Sequence, residues 1–241
     1  MNVMPRQIVP SLHVETVSNI FECAADAHAT QTFGQVIELR RQGCDFNRLP
    51  VYQFDFIGLH HLIYVSVPGR PPQLAAGASG VTLGECDAVR MGFPAQEGMR
   101  EVESKALLAT VSQMVDEHRK TKVPLGYAGG YTILKPFRRN REVLGSLIEV
   151  LAALIADDFI AARVGRLLTF GFVGRSARLI TRLGFSVVPD ADTGEGTFPA
   201  PYLPGSFASF FEMTKPSPWA LQCRERWAPV LSDERRILGV G

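Results

Sequence analysis

An α+β fold is predicted, with three layers (α/β/α) in which a mixed, twisted β-sheet carries helices on both faces. Three observations predict it. First, Tyr127–Leu134, Arg141–Arg163 and Arg166–Phe172 read as strand, long helix and buried strand, and a helix of that length between strands is a crossover joining parallel neighbours. Second, the extended stretches Leu59–Val67 and Gly80–Met91 flank a loop broken by Pro68, Pro71 and Pro72, the pattern of an antiparallel pair. Third, Ala208–Thr214 supplies a last strand after a loop rich in glycine and proline. Parallel and antiparallel pairs in one chain require a mixed sheet, and the intervening helices must cover it.

The elements follow in order. Residues 1–30 show weak periodicity and read as a loose extension with a helix near Ser18–Ala29. In residues 31–43, Phe33, Val36, Ile37 and Arg40 fall at helical spacing, and Gly43 supplies a stop. Asp45–Pro50 is a loop. Lys105–Lys120 is a helix with Leu108, Val111, Met114 and Val115 on one face. The strand at Tyr127–Leu134 contains Gly129 and Gly130, which weaken a strand and point to a bulge or to close approach of a ligand. The helix from Arg141 carries Leu144, Leu147, Ile148, Leu151, Leu154 and Ile155 on a broad apolar face, the mark of core packing. Ser176–Leu183 is a short helix stopped by Gly184, and Phe185–Val188 a strand. Asp190–Gly205 is a long loop of the kind that serves as a lid or binding loop. The tail from Trp219 to Leu238 reads as helical. The domain reading is an extension (1–30), a catalytic-type domain (31–214) and a C-terminal tail (215–241).

Composition bounds the function. The 241 residues are 46% hydrophobic and 20% charged, enough for a sizeable core. Twenty-five basic against 24 acidic residues leave a net charge of +1, so no global field draws nucleic acid or anionic membrane. Met1–Pro10 lacks the apolar run of a signal peptide, and no apolar run is long enough to span a bilayer. Cys23, Cys44, Cys86 and Cys223 are scattered, without a Cys-x-x-Cys pair. A cytoplasmic, reducing setting is expected, with the thiols as small core residues.

Phosphate chemistry is the main signal. Arg138, Arg139 and Arg141 flank the start of a helix at the end of a strand, where unpartnered amide N–H groups favour an anion. Glu85, placed on a strand, is a candidate general base, and Tyr131 a candidate proton donor. Cys86 is a weaker candidate nucleophile, since nothing nearby would lower its pKa. His60 and His61 are adjacent on a strand and face opposite ways, which is poor geometry for one metal. No metal-binding spacing, nucleophile elbow, dinucleotide fingerprint or P-loop is present, so no metal is expected.

The order of elements, with Leu134–Leu151 (LKPFRRNREVLGSLIEVL) and Ser176–Phe185 (SARLITRLGF), resembles the GNAT acyltransferase superfamily over residues 31 to 214. The resemblance implies a pyrophosphate loop for acyl-CoA, which falls on Leu134, Arg138, Arg139, Arg141, Val143, Leu144 and Gly145. The family's Arg/Gln-x-x-Gly-x-Gly/Ala pattern is not reproduced: with Gly145 as its last glycine, Asn140 stands at the first position and Val143 at the middle glycine, and a one-residue slip puts Arg139, Glu142 and Leu144 there instead. The family's tyrosine before the Gly-Phe is Ile180 here, and Ser176 is the nearby hydroxyl. Leu39-Arg40, Tyr52, Phe54-Asp55, His60-His61-Leu62 and Ala88-Val89-Arg90 are similar to the layout of acyl-homoserine-lactone synthases and N-acyl amino acid synthases. What this implies is acyl transfer to a small-molecule amine from acyl-CoA or from an acyl group on acyl carrier protein, which becomes a partner. The alternative is an inactive acyl-CoA-binding or regulatory module of the same shape. Trp219 and Trp227 make the tail a candidate surface for a partner or for a homodimer.

Overall fold

The computed structural model describes residues 11–23, 25–43, 51–102, 104–174, 176–200, 203, 205–232 and 235–238. The expected loop at Asp45–Pro50 and Cys44 lie outside the described residues.

The chain opens with β1 (Ser11–Ser18), α1 (Ile20–Cys23) and α2 (Ala27–Gly43), then a 3-10 turn at Gln53–Phe56. An antiparallel pair follows, β2 (Leu59–Ser66) and β3 (Gln73–Thr82), then α3 (Leu83–Ala88), α4 (Pro94–Glu101) and α5 (Lys105–Thr121). The crossover unit is β4 (Leu125–Ile133), a short α6 (Lys135–Arg138), α7 (Arg141–Ala161) and β5 (Arg166–Phe172). The chain continues with α8 (Ala177–Leu183), β6 (Ser186–Val187), β7 (Phe198–Pro199), β8 (Phe207–Met213), α9 (Pro218–Arg226), α10 (Ala228–Ser232) and β9 (Arg235–Leu238). The strands form one mixed sheet in the order β6-β8-β5-β4-β3-β2-β1-β9, with β7 also on β8, and β4 and β5 run parallel as expected.

Both chain ends differ from expectation. Ser11–Ser18 is not loose: Leu12, Val14 and Val17 are buried, and the strand pairs antiparallel with β2 along its length. The tail is helical over α9 and α10 but ends in a strand parallel to β1. Trp219 and Trp227 pack against the apolar layer under α7. Arg182 stacks on the Trp219 ring at 3.7 Å, and Trp227 Nε1 donates to Glu149.

Periodicity assigns the faces. On β2, Leu62 meets α2 while Ile63 meets α7. Leu107, Val111 and Val115 of α5, Met99 of α4 and Phe93 join Leu168 and Phe210 in a core on the α2 side. Leu147, Val150, Leu151 and Leu154 of α7 cover the other side. The stripe read from the sequence is therefore core, with Leu144 at its rim.

The expected strand Gly80–Met91 is a correction. Only Gly80–Thr82 belongs to β3; the chain then turns into α3. Thr82 Oγ1 accepts from the Glu85 N–H, and the Glu85 carboxylate accepts from the Thr82 N–H and hydroxyl. This reciprocal capping box fixes the helix start and places Glu85 off the sheet.

Candidate active site

The site begins with a parting of strands. β4 pairs with β3 over most of its length, and β5 with β8 from Leu167 to Phe172. Between β4 and β5 only Leu125, Gly126 and Tyr127 find partners, in Arg166, Leu167 and Leu168. Beyond Tyr127 the strands separate.

A bulge helps them part. Gly77 lies opposite Thr132 and Ser79 opposite Gly129, so β4 holds one residue more than β3 there. Gly130 takes it up at φ +66°, a left-handed conformation suited to glycine, and a Cβ there would sit 3.1 Å from Arg40 Nε.

The gap opens into a cavity of about 990 Å³ that reaches both faces of the sheet. Arg40, Lys135 and Arg138 line the β4 side. Pro94, Gly98, Val102, Phe170 and Phe198 form an apolar wall on the other, with the carboxylates Glu97 and Glu101 among them. Tyr131, Leu144 and Leu179 close the α7 face.

Beneath the bulge lies a buried polar cluster. Arg40 Nη1 donates to Asp55 Oδ2 at 2.6 Å, with side-chain exposures of 3% and 0%. Arg40 Nη2 donates to Ser79 Oγ at 2.7 Å, and the Tyr52 N–H donates to Asp55 at 2.7 Å. His60 Nδ1 lies 2.8 Å from Ser79 Oγ, and Nε2 is 2.8 Å from the Asp55 carbonyl oxygen. A carbonyl only accepts, so Nε2 carries the proton and Nδ1 accepts from Ser79. Burial, then the Arg40 charge, pushes the His60 pKa down to about 4, so the ring is neutral. His61 faces the other way, as expected, with Nδ1 2.9 Å from Thr16 Oγ1 and Nε2 2.6 Å from Asp158 Oδ2.

The sequence-predicted residues are brought together only in part. Of the donor-site residues, Arg138 and Leu144 reach the cavity wall. Arg138 bends back, donating to the Ile133 carbonyl at 2.5 Å and the Gly43 carbonyl at 2.8 Å. Leu134 and Val143 are buried in the core, and Arg139 and Arg141 are exposed away from the wall. Gly145 is exposed and off the wall. The α7 start is capped from within, because Asn140 Oδ1 accepts from the Val143 N–H at 3.3 Å.

Among the expected catalytic residues, Tyr131 and Ser176 line the cavity and Glu85 does not. The Tyr131 hydroxyl is buried and makes no hydrogen bond among the described residues. Burial holds its pKa above the ordinary phenol value, outweighing the favourable approach of Thr169. Ser176 Oγ accepts from the Phe172 N–H at 2.9 Å. Cys86 is fully buried, and burial, with Glu85 and Asp87 nearby, pushes its thiol up to about 12, against a nucleophilic role. Arg40, Lys135, Glu97 and the Gly98–Phe170 contact were not singled out by sequence as site residues. Only Arg40 left a signal, as a charge at a core position of α2.

Among the described residues, no cluster of three His, Cys, Asp or Glu side chains suits a metal ion, and no helix is long and apolar enough to cross a membrane.

The fold has counterparts among solved structures. BjaI, a CoA-dependent acyl-homoserine lactone synthase determined with SAM and isopentyl-CoA, superposes with a TM-score of 0.52 at 12% identity, over 94% of this chain and 93% of that one. FeeM, an N-acyl amino acid synthase from uncultured soil microbes, gives 0.50 at 8% identity, over 86% of this chain and 93% of that one. The chain has the GNAT-like α/β fold of these neighbours. At these identities the likeness is one of fold. No protein-family model and no curated protein sequence matches the chain.

Proposed function

We propose that this protein is an N-acyltransferase that moves an acyl group from a pantetheine thioester to a small-molecule amine. The parting of β4 and β5 into the cavity carries this reading. Backbone N–H and C=O groups facing a gap between strands need partners. A pantetheine arm, with two amides, supplies them by lying in the gap like a strand. Lys135 and Arg138 place positive charge at the open end, where the phosphate of a CoA or of an acyl carrier protein would lie. The resemblance in fold to BjaI, which is CoA-dependent, supports a thioester donor.

The chemistry needs positioning more than covalent help. The amine nitrogen attacks the thioester carbonyl carbon, the carbon–sulfur bond breaks, and the sulfur leaves as thiolate. Glu101, beside the Glu97–Arg100 ion pair, draws in the ammonium form of the acceptor and takes the first proton, which frees the nitrogen lone pair; the second proton, lost on attack, passes to the departing thiolate. Tyr131 stays protonated, so it donates a hydrogen bond to the developing negative charge.

The test has two parts. The purified protein is titrated with acyl-CoA and acyl carrier protein thioesters by calorimetry, then incubated with them and a panel of amines for mass spectrometry. An N-acylated product is expected. Binding without product from any amine would favour the non-catalytic module, and absence of binding by both CoA and acyl carrier protein thioesters would overturn the reading.

A further inference from the structure

The apolar half of the cavity has a defined floor. Tyr127 and Leu168 are the last partners before β4 and β5 separate. Phe170 lies two residues beyond Leu168, so its side chain leaves the same face of β5. Its ring therefore stands at the vertex of the gap, on the face that α4 covers.

The ring is fixed on several sides. Its centroid is 6.1 Å from Tyr127, 6.2 Å from Phe198 and 5.3 Å from Phe210. The α4 backbone presses on its edge at Gly98, where a Cβ would come within 2.7 Å of ring atoms Cε2 and Cζ. Any side chain at 98 must displace the ring, and with aromatic neighbours around it the open direction is into the cavity.

We infer that Phe170, seated by Gly98, is the stop that ends the acyl chain and sets its length. This rests on the proposed thioester site. A thioester in the gap has its phosphate end at Lys135 and Arg138, which leaves the apolar wall of Pro94, Gly98, Val102 and Phe198 for the acyl group. The substrate class is thus a straight or branched hydrocarbon acyl group longer than acetyl, ending against the Phe170 ring.

The two residues give opposite perturbations. Phe170→Leu and Phe170→Ala lower the floor, and Gly98→Ala raises it by pushing the ring inward. Each methylene gained or lost changes donor affinity about fourfold. The experiment measures thermal stabilisation and calorimetric affinity for a straight-chain series, from acetyl to palmitoyl, as CoA and as pantetheine thioesters. Wild type should show a length optimum. Phe170→Leu should move it to longer chains and Gly98→Ala to shorter ones. Far-UV circular dichroism identifies folded variants, and Phe170→Leu alone suffices should Gly98→Ala not fold. A wild-type optimum that neither variant moves would overturn this inference while leaving the thioester site intact. No response of the wild type to any thioester would overturn both.

Discussion

Replacing Arg40 with methionine tests the buried cluster beneath the bulge. The guanidinium and the Asp55 carboxylate are 2.6 Å apart with almost no solvent contact. Methionine keeps much of the apolar stem but leaves a carboxylate in the interior with only the Tyr52 N–H on Oδ2. Breaking such a pair from one side costs about 3–5 kcal/mol, because the remaining charge has lost its compensation. The guanidinium also lies 5.4 Å from the Tyr52 ring centroid, worth about 0.5–1 kcal/mol, and Ser79 loses a donor. Urea unfolding near neutral pH, followed by circular dichroism, should show a loss of about 4 kcal/mol. Adding Asp55→Asn removes the stranded charge and should recover about 2 kcal/mol of it. Arg41→Met, which removes an exposed partner of Glu38 on the same helix, should leave the midpoint in place. A loss under about 1 kcal/mol for Arg40→Met, or further destabilisation on adding Asp55→Asn, would refute the reasoning.

Four more outcomes are expected. His60 has its pKa lowered from 6.5 to about 4, so the folded state resists a proton that the unfolded chain accepts. Its contribution, about 3 kcal/mol, is complete above pH 6.5 and disappears as pH falls toward 4. His60→Gln should flatten that part of a stability-versus-pH curve; an unchanged slope would rule this out. Gly130→Ala puts a side chain at φ +66° against Arg40 and should cost about 2 kcal/mol in urea unfolding. Lys135→Glu should weaken acyl-CoA binding about tenfold at low salt and less at high salt, with unchanged melting temperature. Tyr131→Phe removes a buried hydroxyl without a hydrogen bond, so stability should hold or rise by about 1 kcal/mol while turnover falls. Loss of stability together with turnover would make that tyrosine structural.

What was legible in the sequence was whatever its periodicity encodes. The α7 stripe, the buried run Arg166–Phe172 and the paired glycines of β4 each announced their roles, because helix and strand periods act over neighbouring residues. β1 was missed although Leu12, Val14 and Thr16 alternate with His13 and Glu15, since a short half-polar strand also reads as loop. Thr82 and Glu85 carry the capping-box spacing, yet the apolar residues around them suggested a longer strand. The site was less legible because its contacts are long-range. Arg40 meets Asp55 and Ser79 only through the fold, and no local spacing announces that Gly98 faces Phe170. Arg138 read as a phosphate ligand from its place before the helix; nothing local announced that it lines the cavity while also donating to two backbone carbonyls.

The buried cluster and the open strand gap are parts of one device. His60 is neutral, with both ring nitrogens engaged, so it is poorly suited to act as a base. Its hydrogen bond instead orients Ser79, and Ser79 with Asp55 fixes the Arg40 guanidinium. That guanidinium occupies the space a side chain at position 130 would need. Gly130 carries the extra residue of β4, and beyond that bulge the strand keeps pace with β3 while diverging from β5. Removing the guanidinium frees that space for a side chain at 130, so effects at the two positions should not add. In urea unfolding, the combined Arg40→Met and Gly130→Ala variant should lose less than the sum of the single losses, by about 1 kcal/mol. Strict additivity would mean that the bulge stands without the cluster, and the gap would need another explanation.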